Sequence, residues 1–236
     1  MTNNRFNPHF TPDLTKPELV IGLIWLVMHM FVLPLLTSLV VVWFPTMGEI
    51  TLNAMYYGLS LAVVMIFGFK MLRREFDHLA DRILLCVKTL FMGYFIWYTL
   101  ALVMSIIMSA LELDATPPND QAVDILAEQG YNTMLVISVI AAPILEEVLF
   151  RGVLFQSIRK KSRLWAYVAS LAVFGLYHTW QFAVLYQDPM YLLYSLQYIP
   201  ITLAITWSYE RSGSLWTAIF FHASNNYLAM SLLPYV

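Results

Sequence analysis

The chain has 236 residues, of which 60% are hydrophobic and only 12% charged, with a formal net charge of −2. A soluble domain usually carries about 25% charged residues, so the composition argues against one and implies a polytopic α-helical membrane protein. The single cysteine, Cys86, rules out an intrachain disulfide and a cysteine metal cluster, and no nucleic-acid partner is expected.

Residues 1–17 form a polar N-terminal segment with Pro8 and Pro12. The apolar run that follows is too long for a signal-peptide core and shows no cleavage site, so it is read as a retained first span. A membrane helix needs about 20 mostly apolar residues. On that scale the sequence predicts about seven helices in one bundle, over 18–43, 54–72, 84–110, 131–157, 164–186, 190–208 and 214–233. The runs are continuous rather than alternating, which fits helices and not barrel strands. An additional re-entrant or surface helix over 119–130 is compatible with the scheme. The expected organisation is the segment 1–17, N-terminal helices over 18–110, and a transmembrane core over 131–233.

Charge sets the expected orientation. Lys70, Arg73, Arg74 and Arg82 follow the second span, Arg159, Lys160, Lys161 and Arg163 the fourth, and Arg211 the sixth. The opposite connections carry Glu49, Glu112, Asp114, Asp120, Asp124, Glu128 and Asp188, with no lysine or arginine. By the positive-inside rule the N-terminus is expected in the cytoplasm and the C-terminus outside.

Three polar clusters interrupt the apolar runs. In PILEEVLFRG, Glu146, Glu147 and Arg151 lie in the fourth span. Charges at that depth cost roughly 2.5–3.5 kcal/mol each on insertion scales and usually mark function. Glu147 and Arg151, at i and i+4, can pair on one face. Glu146 sits about 100° around the helix and has no such partner. The spacing therefore reads as a structural Glu147–Arg151 pair beside a free Glu146. Pro143, one turn earlier, is either a packing kink or a bend that opens a pocket. FGLYH places Phe174 and His178 on one face of the fifth span, and HASNN places His222 and Asn226 at i and i+4 in the seventh, with Asn225 nearby. Each of these could be interhelical glue. At about 1.5 Å per residue, all lie roughly 12–21 Å from the basic side, deep enough to share one site on spans 4, 5 and 7. His29 stands alone in the first span and reads as a packing or interface residue; His9 and His78 carry no signal.

A carboxylate that takes a proton from water, with His and Asn donors for an oxyanion, suits hydrolysis. The motifs resemble those of the CPBP intramembrane endopeptidases, which include type II CAAX prenyl proteases and bacterial Abi self-immunity proteins. EEVLFR fits the family's EExxxR, FGLYH its FxxxH and HASNN its HxxxN, in order, over about residues 131–230. The resemblance implies that Glu146 activates water with help from His178. It further implies that His222 and Asn226 form the oxyanion hole, and that Glu147 and Arg151 support the site. No cofactor is expected; Glu and two His could in principle hold Zn²⁺, but HExxH is absent. The expected substrate is a membrane-associated peptide or protein. Two alternatives stay open: a non-catalytic immunity or binding protein of the same fold, and a transporter with Glu146, His178 and His222 as a proton relay.

Overall fold

A computed structural model describes residues 10–113 and 116–233. Pro8, His9 and Asp114 lie outside the described residues. Seven long helical units follow one another, matching the expected spans, and the described residues contain no strand. They are α1 Lys16–Trp43, α2 Glu49–Asp81, α3 Ile83–Ala110, α4 Pro118–Arg159, α5 Arg163–Leu185, α6 Ile199–Ser212 and α7 Leu215–Ser231. The chain is an all-α membrane bundle. The first five are long and apolar enough to cross a bilayer by length and composition.

α6 and α7 are shorter. The segment expected as a sixth span from residue 190 begins as a 3₁₀ helix, Pro189–Tyr198, capped by Asp188, whose carboxylate accepts from the Met190 N–H at 2.9 Å. Pro200 has no N–H for an α-helical ladder to run back across this point. The α-helix accordingly begins at Ile199. It ends at Gly213, in the left-handed region at φ 73°, a conformation with little cost only for glycine.

α4 is the hub. Of its most apolar stretch, 67% is buried within the bundle, against 6% for α3, which presents its side chains outward. α4 is also the least regular helix. Gly130 has non-helical backbone angles, which separates an outer helix over 118–129 from the span proper, as the sequence allowed. Two π-helical stretches follow, Ile137–Ala141 and Val148–Phe155, on either side of the two glutamates. Such wide turns often mark functional sites.

Proline explains two of the bundle's cross-links. In the first π stretch the Ala142 N–H reaches back to the Ile137 carbonyl. The next carbonyl, that of Ser138, would need an N–H from Pro143, which has none. Asn226 of α7 supplies the missing donor through Nδ2, at 2.9 Å. α1 repeats the device. Leu33 N–H goes to Met28, Pro34 cannot serve His29, and the Tyr56 hydroxyl donates to the His29 carbonyl at 3.0 Å.

At the basic ends of the helices, Glu210 accepts from Arg159 Nε at 2.7 Å, Arg163 Nε at 2.9 Å and the Tyr167 hydroxyl at 2.8 Å. Buried Glu75 caps the start of α7, accepting from the Leu215 N–H at 2.7 Å. Gln156 of α4 joins this region to the N-terminal segment by accepting from the Asp13 and Leu14 N–H groups.

Candidate active site

The catalytic and supporting candidates come from α4, α5 and α7, and all but Glu147 and Arg151 line one cavity of about 1210 Å³. Glu146, His178, His222, Asn225 and Asn226 face it. Glu147 and Arg151 do not; they lie behind the wall, completely buried.

The spacing argument for the two glutamates finds its geometry here. Arg151 Nη1 donates to Glu147 Oε1 at 2.9 Å within α4. The same guanidinium reaches the Thr202 carbonyl and Thr206 Oγ1 of α6, both at 3.3 Å, and lies 4.7 Å from the centre of the Phe174 ring. A guanidinium held in this way by three helices fixes its carboxylate partner firmly. Glu147 Oε1 also accepts from His222 Nδ1 at 2.8 Å, so one carboxylate oxygen bridges α4 to α7. Glu146 differs. Its Oε2, like Glu147 Oε2, is buried without a hydrogen-bond partner, but Glu146 lines the cavity and His222 Nε2 stands 3.9 Å away, beyond hydrogen-bond range.

Both histidines have tautomers dictated by their partners. The Phe174 carbonyl can only accept, so His178 Nδ1, at 2.9 Å, carries the hydrogen and Nε2 of the neutral ring is bare. His222 Nδ1 faces a carboxylate and likewise carries its hydrogen. Its Nε2 can therefore donate only when the ring is an imidazolium. Asn226 gives one amide hydrogen to Ser138, which leaves the second hydrogen and Oδ1 uncommitted to that bond.

With that geometry in view, the similarity to known proteins can be placed. A family model described as "Type II CAAX prenyl endopeptidase Rce1-like" matches residues 128–228, which hold every one of these side chains. Over this segment the chain is similar to the type II CAAX prenyl endopeptidases, in line with the resemblance its motifs carry. A Bacillus subtilis (strain 168) protein named "Putative membrane peptidase YdiL" is 30% identical over 110 residues, 46% of this chain and 40% of that protein. The alignment thus spans well under half of the relative's length. No solved structure matches the chain significantly.

Among the described residues no three His, Cys, Asp or Glu side chains are grouped to hold a metal ion. His178 and His222 each turn Nδ1 to an acceptor and keep Nε2 free, an arrangement that is by itself compatible with metal ligation.

Several contributors were not visible in the sequence. Thr202 and Thr206, one turn apart on α6, could have been suspected from their spacing. Ser138 acts through its backbone, so its side chain gave no clue. Tyr56 and Tyr57 of α2, Tyr177 of α5 and Tyr198 of the 3₁₀ helix also line the cavity. Tyrosines are common in membrane helices, so composition did not distinguish them.

Proposed function

We propose that this protein is an intramembrane endopeptidase that hydrolyses a peptide bond in a membrane-associated peptide or protein, using a water activated by Glu146. The observation carrying this reading is the contrast between the two adjacent glutamates. Glu147 is held by Arg151 and His222 through Oε1 and stands behind the cavity wall, whereas Glu146 lines the cavity with His222 Nε2 beyond hydrogen-bond range.

The chemistry follows from the hydrogen positions. Glu146 takes one proton from water as the water oxygen bonds to the scissile carbonyl carbon. The bare Nε2 of His178 accepts the water's other hydrogen and orients it. Negative charge gathers on the former carbonyl oxygen, where the remaining Asn226 amide hydrogen and an imidazolium His222 donate to it. Glu147 holds the His222 ring in place from behind through Nδ1. Protonated Glu146 then gives its proton to the departing amine, the C–N bond breaks, and the carboxylate is regenerated.

Peptidomics of membranes carrying the wild-type protein or Glu146→Ala tests the reading. New peptide termini are expected only with the wild type, and their uncleaved precursors only with the variant. Identical peptide sets, with Glu146→Ala still conferring any phenotype of the wild type, would favour the non-catalytic binding protein instead.

A further inference from the structure

We propose that Tyr177 and Tyr198 clamp the His178 imidazole from two sides, and that His29 and Asp120, both outside the CPBP-matched segment, are positioning residues acting through them. The inference rests on the reading that His178 orients the attacking water.

Tyr198 stacks on the imidazole, with ring centroids 4.4 Å apart and planes 24° from parallel. Tyr177 meets it edge to face, at 4.8 Å and 84°. A ring covered on one face and blocked at its side cannot turn about its last torsion without displacing a tyrosine. The Nδ1 bond to Phe174 then fixes which nitrogen points into the cavity.

Each tyrosine is itself held by its hydroxyl. The Tyr198 hydroxyl donates to Asp120 Oδ1 at 3.1 Å, tying the 3₁₀ helix to the outer part of α4. The Tyr177 hydroxyl lies 2.9 Å from His29 Nε2. Tyr56 sits 3.3 Å from the same nitrogen, but its single proton goes to the His29 carbonyl that Pro34 leaves open. The Tyr177 hydroxyl and His29 Nε2 therefore pair directly, His29 Nδ1 pairs with Ser60 Oγ at 3.1 Å, and the ring is completely buried.

Simple interhelical glue would need one such bond. Here two chains of contact, from α1 and from the outer helix, converge on one imidazole. The N-terminal helices thereby become part of the site rather than a scaffold around it.

Hydroxyl deletions that keep the rings provide the test, in the full chain purified in detergent. The probe is an internally quenched peptide, chosen from a pool because the wild type cleaves it and Glu146→Gln does not. Tyr198→Phe, Tyr177→Phe and Asp120→Ala are each expected to lower kcat about tenfold, the worth of one hydrogen bond, with KM nearly unchanged. Asp120→Asn, which still accepts from the Tyr198 hydroxyl, should restore most of it. The double variant Tyr198→Phe/Asp120→Ala should be no worse than either single change, since both break the same bond. In parallel, nitrogen NMR of the histidine rings should show the His178 signal, identified by its loss in His178→Gln, broadened or moved in the same variants. Unmoved His178 signals, or a raised KM with unchanged kcat, would overturn the clamp. A pool in which no peptide is cleaved by the wild type and spared by Glu146→Gln would overturn the functional reading instead, and the NMR arm would still decide the clamp.

Discussion

Asn226 donates to the Ser138 carbonyl at 2.9 Å, and the acceptor is open because Pro143, five residues later in a π-helical turn, has no N–H to give it. A proline in α4 thus fixes an amide on α7. From the sequence, Pro143 was either a packing kink or the cause of a pocket. Its structural consequence is more specific: it creates the acceptor that holds an expected oxyanion donor in place.

Pro143→Ala should therefore separate stability from activity. Alanine supplies the missing N–H and is about 3 kcal/mol more favourable than proline in a helix interior, so thermal stability should hold or rise. Asn226 would lose its acceptor, and cleavage should fall about tenfold, on the scale of one hydrogen bond. Thermal unfolding in detergent, read alongside cleavage rate, checks both halves. A fully active variant would show that Asn226 needs no such support.

The Glu147–Arg151 pair should act as a unit in stability. Arg151→Met leaves a completely buried carboxylate facing only His222. Breaking a buried pair in this way costs about 3–5 kcal/mol. Glu147→Gln/Arg151→Met removes both charges and should recover part of that loss, which a double-mutant cycle of unfolding free energies would measure. Strict additivity of the two single changes would contradict the pairing.

Gly175 tests the seat of the 3₁₀ helix. A Cβ there would lie 3.0 Å from both the carbonyl oxygen and Cβ of Ser195, and backbone cannot step aside as a flexible side chain can. Gly175→Ala should cost about 1–3 kcal/mol through overpacking and should also lower kcat, because the displaced segment carries Tyr198. Gly58→Ala, with nothing within 4 Å of the added Cβ, should be neutral or slightly stabilising.

Glu210, two residues past the expected end of the sixth span, should make the bundle acid-sensitive. Burial pushes its carboxyl up, but hydrogen bonds from Arg163, Arg159 and Tyr167 outweigh this and hold it below the usual value of 4.5. A carboxylate with a depressed folded-state pKa stabilises the fold above its unfolded value, and that contribution is lost as pH falls through the folded one. The wild type should accordingly exceed Glu210→Gln in thermal stability near neutral pH. That advantage should shrink once pH drops below about 4.5, the ordinary carboxylate value. An advantage independent of pH would contradict the charge-based clamp.

Much of this architecture was legible because membrane burial makes polar residues conspicuous. Glu146, Glu147 and Arg151 stand out in apolar surroundings, and i, i+4 spacing alone separated the Glu147–Arg151 pair from the free carboxylate. The seven helical units follow from apolar run length in the same way. What stayed hidden depends on backbone and tertiary detail. The Ser138 carbonyl has no sequence signature, and neither does the widening of the helix on both sides of the glutamates. The 3₁₀ start of the sixth segment arises from Pro189, Asp188 and Pro200 acting together against a hydrophobic pattern that reads as one plain span. Tyr177 and Tyr198 matter through what their hydroxyls touch, and only the folded chain shows those partners. His29 read as a packing or interface residue, and its ring is indeed packed and completely buried; its bonds to Tyr177 and Ser60 are the added detail.

The central claim is that Glu146, rather than its neighbour, activates water. The most direct measurement is the cleavage rate of Glu146→Gln on a peptide that the wild type cuts, with intact folding verified by an unchanged unfolding temperature. Glutamine keeps the shape and cannot take the proton, so the rate should fall about 10²–10⁴-fold, the usual contribution of a positioned general base. A folded Glu146→Gln protein that cleaves within a few-fold of the wild-type rate would contradict the account.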